Sequence, residues 1–229
     1  GNLVTTYLND VTVECDGDVF VKNEVRNARI YASGIVSLPN GNIFGGETYG
    51  LSGIEVKNAG AASGIKTRLY AGIDYTQIKL AQQRDEAQLE FVEINDQLAI
   101  LSQLLKQNKM LSADDKKKVI ELSARMDEIN QFKEDLEEKI ARARVLAKKK
   151  ANGKINIKGR IGEGVILHIG DTTEEIKIER QSAVSIIENR KAQGFHFLSL
   201  TPLSTSAEEL EKEIEEDEED DDVPAEWGQ

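Results

Sequence analysis

Residues 11–37, VTVECDGDVFVKNEVRNARIYASGIVS, decide the fold. They hold short runs of period two, Val11-Thr12-Val13-Glu14-Cys15, Val19-Phe20-Val21, Ala28-Arg29-Ile30-Tyr31-Ala32 and Ile35-Val36-Ser37, separated by Gly, Asn and Asp. Alternation of this kind marks a half-buried strand, and each run is too short to build an ordinary sheet alone. The runs also recur: Val13 to Ile30 is 17 residues, Val19 to Val36 is 17, and Val36 to Ile54 is 18. So short a period, with Gly or Asn at the corners, predicts a solenoid in which three strands and three corners make one coil. Gly45-Gly46, Gly50 and Gly53 mark places where the backbone turns and a side chain would collide. Residues 1–73 are therefore expected to form a parallel β-helix. The alternative, an antiparallel β-sandwich, wants longer strands and does not require the repeat.

From Asp74 onward the period becomes helical. Ala87, Phe91, Ile94, Leu98, Leu101 and Leu105 follow spacings of four and three, as do Val119, Leu122, Met126, Ile129, Lys133, Leu136, Ile140, Ala143 and Ala147. Both series are heptad seams. Ser112 followed by Asp115 resembles a capping box and starts the second helix near Ala113. The connector, Gln107 to Leu111, is short enough to make the helices antiparallel neighbours. Residues 74–150 thus read as a long antiparallel coiled-coil hairpin, inserted into the β structure as a projecting arm of about 50 Å.

After Lys150 strand patterns return in Ile155-Asn156-Ile157, Val165 to Ile169, Ile176-Lys177-Ile178 and Phe195-His196-Phe197. Turn residues at Gly162-Glu163-Gly164 and Gly170-Asp171-Thr172 predict an antiparallel β meander over residues 151–204, packing beside the β-helix or capping it. The segment 205–229 is expected to be an acidic tail, disordered or only partly helical. Glu208 to Glu226 holds thirteen acids and one lysine, which equals the whole net charge of −12. The rest of the chain is neutral, with no clustered Lys/Arg surface of the kind that phosphate backbones demand, so nucleic acid is not an expected partner.

The single cysteine, Cys15, has no intrachain partner for a disulfide. No apolar run approaches the roughly 20 residues of a membrane-spanning helix. The expected compartment is the cytoplasm. Gly1 stands without a preceding Met and the strand pattern is already under way, which predicts that the chain is the C-terminal part of a longer protein.

The chain resembles the flagellar assembly protein A family. The likeness is carried by Asp18-Val19-Phe20-Val21, Ala28-Arg29-Ile30-Tyr31-Ala32, Gly41-Asn42-Ile43-Phe44-Gly45-Gly46-Glu47, Gly64-Ile65-Lys66-Thr67 and Leu69-Tyr70-Ala71-Gly72. After the helices it continues in Gly159-Arg160-Ile161 and Gly164 to Gly170, so it spans roughly residues 3–170. The resemblance implies a right-handed β-helix related in style to bacterial polymer-forming proteins. It also implies a link to flagellar assembly or cell-surface organisation. It offers no catalytic residues to carry over, and the acidic tail is outside the shared pattern.

The residues themselves give little chemistry. His168 lies between Leu167 and Ile169, and His196 between Phe195 and Phe197, so alternation puts both on outer strand faces. Neither has a second ligand at metal-binding spacing. Cys15 reads as a small packed residue, and Asp16 and Asp18 as corner residues flanking Gly17. Gly159, Gly162 and Gly164 do not have the spacing of a phosphate-binding loop. The expectation is no enzyme, no catalytic residue, no cofactor and no metal, with a carbohydrate-active β-helix enzyme as the distant rival. Two places read as partner contacts. Lys116, Lys117 and Lys118 could meet an acidic partner or anionic membrane surface, and Trp227 after Pro224 could anchor in a partner's groove. Lys148-Lys149-Lys150 is the other basic run. The expected function is a scaffold or assembly protein that acts through self-association, with a partner-docking adaptor using the arm or tail as the alternative.

Overall fold

The computed structural model describes residues 1–61, 64–106 and 112–221. The expected connector at Gln107 to Leu111 and Trp227 lie outside the described residues. The strands are β1 (Leu3–Asn9), β2 (Thr12–Cys15), β3 (Val19–Ala32), β4 (Val36–Gly50), β5 (Ile54–Ala59) and β6 (Thr67–Ala71). The helices α1 (Tyr75–Lys106) and α2 (Ala113–Lys150) follow. Then come β7 (Lys154–Ile161), β8 (Val165–Ile169), β9 (Thr172–Glu175), β10 (Arg180–Gln181), β11 (Val184–Asn189), β12 (Gly194–Ser199) and α3 (Ala207–Asp221). The chain divides into a β unit, Gly1–Tyr75 with Ala147–Gln229, and a helical unit, Thr76–Leu146.

The β unit is a solenoid whose parallel register follows the sequence repeat. Val13 pairs with Ile30, Val19 with Val36, and Val36 with Ile54. Three inward columns run its length. The first is Leu3, Val19, Val36, Ile54 and Ile155; the second is Leu8, Val25, Ile43, Ala59 and Ile161; the third is Val13, Ile30, Thr48, Leu69 and Leu167. β-branched and leucine side chains suit such columns, because each packs between equivalents one rung above and below. Corners are fixed by short polar side chains. Asp18 Oδ1 accepts the Ile35 N–H at 2.8 Å, and Asn2 Oδ1 accepts the Asp18 N–H at 2.9 Å. At Gly46 (φ 77°) a Cβ would stand 2.0 Å from the Ala28 carbonyl oxygen, so only glycine fits between the stacked coils.

The first half of the expected meander is corrected. β7 and β8 are not antiparallel strands: they pair in parallel with β5 and β6 and form the last coil of the solenoid. The repeat was hidden because 82 residues separate Ala71 from Lys154. Antiparallel pairing starts only afterwards, with β9 on β8, β10 and β11 on β7, and β12 on β11. Ile176 and Ile186 are buried there, and Phe195 and Phe197 pack on the same core. Residues 207–221, within the acidic segment expected to be disordered or only partly helical, form α3. Ser206 and Glu209 make a reciprocal cap, and Leu210 is buried. Charge density concealed a two-turn amphipathic pattern.

In the helical unit α1 and α2 pack around Ala87, Ile94 and Ile129, with Phe91, Leu98, Leu122 and Met126 against them. Arg125 reaches across to Glu90 at 2.7 Å, and Lys133 lies 4.8 Å from the centre of the Phe91 ring. Ser112 and Asp115 exchange capping hydrogen bonds at the start of α2.

Candidate functional site

The outward face of the solenoid carries a ladder that the sequence did not announce. Tyr31, Tyr49, Tyr70 and His168 occupy one register position on successive rungs. Ring centroids are 5.2, 4.0 and 4.1 Å apart in turn, and Tyr75 stacks on Tyr31 at 3.5 Å. Burial pushes the Tyr31 hydroxyl up to about 12 and raises Tyr49 as well. His168 Nδ1 is 2.7 Å from Thr173 Oγ1, while its Nε2 is buried with no hydrogen-bond partner. Burial, and then the charge of Arg68, hold this imidazole below its ordinary value. The rings pack on one another from rung to rung, so the ladder braces the solenoid.

The other singled-out residues are dispersed. Cys15 Sγ lies 3.0 Å from the Gly1 carbonyl oxygen and packs on the core. Lys116, Lys117 and Lys118 are exposed at the start of α2, with Lys117 3.7 Å from Glu121. His196 lies half-buried on β12. Among the described residues no group of three or more His, Cys, Asp or Glu could hold a metal ion. No described helix is long and apolar enough to cross a membrane.

The densest polar cluster gathers where β7 begins. Lys154 is wholly buried, and its ammonium donates to Thr201 Oγ1, to the Pro202 carbonyl oxygen at 2.9 Å and to the Thr205 carbonyl oxygen at 3.0 Å. All three of its protons are thereby used, which is how a buried ammonium is tolerated. Burial still lowers its proton affinity, opposed by the charges of Glu209 and Glu213. Beside it Asn156 donates to the Thr201 carbonyl oxygen at 2.8 Å and accepts from Ser185 Oγ at 2.8 Å. Asn152 donates to the Leu203 carbonyl oxygen and accepts the Ala207 N–H. Residues 200–206 are thus a strap, bonded along its length to the last coil and delivering α3. Next to it a cleft of about 350 Å³ is lined by Lys148, Lys149, Asn152, Arg190, Ser206 and Glu211 among others. This arrangement binds chain to chain through hydrogen bonds and charge.

The sequence model of the flagellar assembly protein A β-solenoid domain matches residues 1–193. The chain belongs to the flagellar assembly protein A family. Membership accounts for the solenoid and connects the chain with flagellar assembly. The matched residues stop before β12, the strap and α3. No curated protein and no solved structure matches the chain. Among the cluster residues, Lys154 and Asn156 stood in an ordinary strand pattern. Their role was invisible in sequence because their partners lie 29 to 51 residues away.

Proposed function

We propose that this chain is a non-enzymatic scaffold of flagellar assembly, working in the cytoplasm through protein contacts and self-association. The observation that carries the reading is the outer edge of the first coil. Among the described strands β1 pairs with β3 alone, and Val4, Tyr7 and Val11 are exposed beside it. Such an edge presents backbone N–H and C=O groups to a further strand about 4.8 Å away. The first eighteen residues include Asp10, Glu14, Asp16 and Asp18 and no lysine or arginine. Two copies meeting there repel each other, so their association strengthens as salt is raised. The helical pair, read as a coiled-coil hairpin, adds a second contact element; the exposed Lys116, Lys117 and Lys118 favour docking on an acidic partner.

Sedimentation velocity over a concentration series, at low and high salt, tests the proposal. The expected result is an assembly that grows with concentration and salt and is lost in Val4→Pro, which removes an N–H facing the open edge, since the alternate Leu3 N–H bonds the Asp18 carbonyl. A chain that stays monomeric throughout overturns self-association. A Val4→Pro variant that assembles as well as wild type overturns the role of this edge.

A further inference from the structure

α3 docks by a pattern that alternates grease and charge. Leu210 is buried and Ile214, one turn later, is half-buried. The residue after each carries a carboxylate toward the turn between β11 and β12. Glu211 lies 3.5 Å from Arg190, and Glu215 lies 3.5 Å from Lys191. Arg190 also pairs with Glu188 at 3.5 Å. In spite of these pairs the side chains of Arg190 and Lys191 remain 70% and 67% exposed. A cleft of about 300 Å³ is left open beside Ile214, lined by Arg190, Lys191, His196, Glu211 and Glu215. The strap, by contrast, is held by hydrogen bonds from Lys154, Asn156 and Asn152. Hydrogen bonds secure residues 201–206, whereas past Leu210 the hold rests on half-exposed ion pairs, which contribute little and are screened by salt.

We infer that the β11–β12 turn, with Arg190 and Lys191, is a seat for an acidic amphipathic helix of another protein chain, and that α3 occupies this seat in cis. The seat reads two apolar residues four apart, each followed by an acid, as in Leu210-Glu211 and Ile214-Glu215. A partner helix with that spacing takes the place of α3 and makes the same contacts, which is recognition by a helix laid into a groove. The basic pair selects against neutral or basic helices and speeds encounter with acidic ones. This deepens the scaffold reading and rests on it, since it specifies which chemistry a partner of the assembly brings.

The full chain is titrated against a fluorescently labelled synthetic peptide of residues 205–221, followed by anisotropy. In the chain carrying Glu211→Lys and Glu215→Lys together, both ion pairs of the cis helix are reversed while Leu210 and the Ser206–Glu209 cap stay in place. That variant is expected to bind the peptide at least about tenfold more tightly than wild type. Its binding weakens with salt and is lost when Arg190→Glu and Lys191→Glu are added. Equal binding by wild type and variant, no binding by either, or equal binding of a peptide with Leu210 and Ile214 replaced by Ser overturns the seat. If circular dichroism shows the reversed chain unfolded, the Arg190→Glu, Lys191→Glu chain is titrated with a peptide bearing Lys at 211 and 215. Restored binding then supports the seat and its failure overturns it. A chain that self-associates but ignores every peptide loses only the seat; one that binds peptide and remains monomeric loses only self-association.

Discussion

In the solenoid, Val19, Ile30, Ile54 and Leu69 are wholly buried, each held between a rung above and a rung below, and Leu38, paired with Val56, is wholly buried as well. In the helical pair the most enclosed residues are Leu136, Ile129 and Ile94, and Phe91 and Leu98 stay half-buried along one seam. Large apolar side chains remain exposed on those helices, among them Leu89, Ile100 and Ile120. The same apolar residue types therefore work in two regimes. In a stack every core position is shared by neighbouring repeats, so damage spreads along the axis. In a two-helix seam each pair depends on its opposite number, so damage stays local.

The comparison is broken most severely by a charge in the stack. Leu38→Asp is expected to cost more than about 4 kcal/mol and to unfold the β unit as a whole, read as loss of its denaturant transition. A variant that retains a cooperative β transition at the wild-type midpoint would contradict shared burial. Next comes Leu98→Asp in the seam, with an expected cost of about 2–3 kcal/mol confined to the helices. Helical circular dichroism should melt early while the tyrosine near-ultraviolet signal of the ladder persists. If helix melting is unchanged, the seam is misassigned; if both signals fall together, the two units are one cooperative body.

Thr48 sharpens the contrast from the other side. It stands in the inward column between Ile30 and Leu69, and its hydroxyl is buried without a hydrogen-bond partner. Thr48→Val keeps the shape and removes the unsatisfied oxygen, so a gain of about 1 kcal/mol is expected in chemical denaturation. A loss would show that the hydroxyl has a partner. The smallest effect is on pH. The folded value of His168 lies below its ordinary 6.5, so the unfolded chain takes up the proton first as pH falls. Its contribution is complete above pH 6.5 and declines as pH drops from there toward the folded value. The midpoint of the β unit should fall over this window by less in His168→Gln than in wild type, while the helical transition is indifferent. Identical slopes in both proteins would remove His168 from the account.

What could be read in sequence follows the same division. Val13, Val19 and Val36 predicted their own partners on the next rung, because a solenoid writes its register as a spacing. Ile155 and Leu167 belong to the same columns, yet the insertion broke the spacing and left only an ordinary strand pattern. The tyrosine ladder sits on outward positions, where periodicity says only that a residue is not core. The roles of Lys154 and α3 depend on partners brought together by the chain's return from β12, and no local pattern encodes them. Lys116, Lys117, Lys118 and Trp227 remain the sequence's own suggestions for contact.

The resumption of the stack after α2 also has a kinetic side. Ile54 cannot meet Ile155 until some hundred residues have been drawn into a closed loop, whereas Val19 meets Val36 across a span of 17. Entropy of closure grows only slowly with length, about 0.6 kcal/mol per doubling, but it must be spent before any contact of the last coil repays it. Helices form within about a microsecond, far faster than distant strands find each other. Once α1 and α2 are joined through Glu90 and Arg125, the flexible length between the coils is shortened from both sides. Folding of this chain is accordingly expected to proceed from two local starts, the early coils and the helices. The closure of Lys154–Ile169 onto the waiting edge comes late, and the strap follows only when that coil exists to receive it.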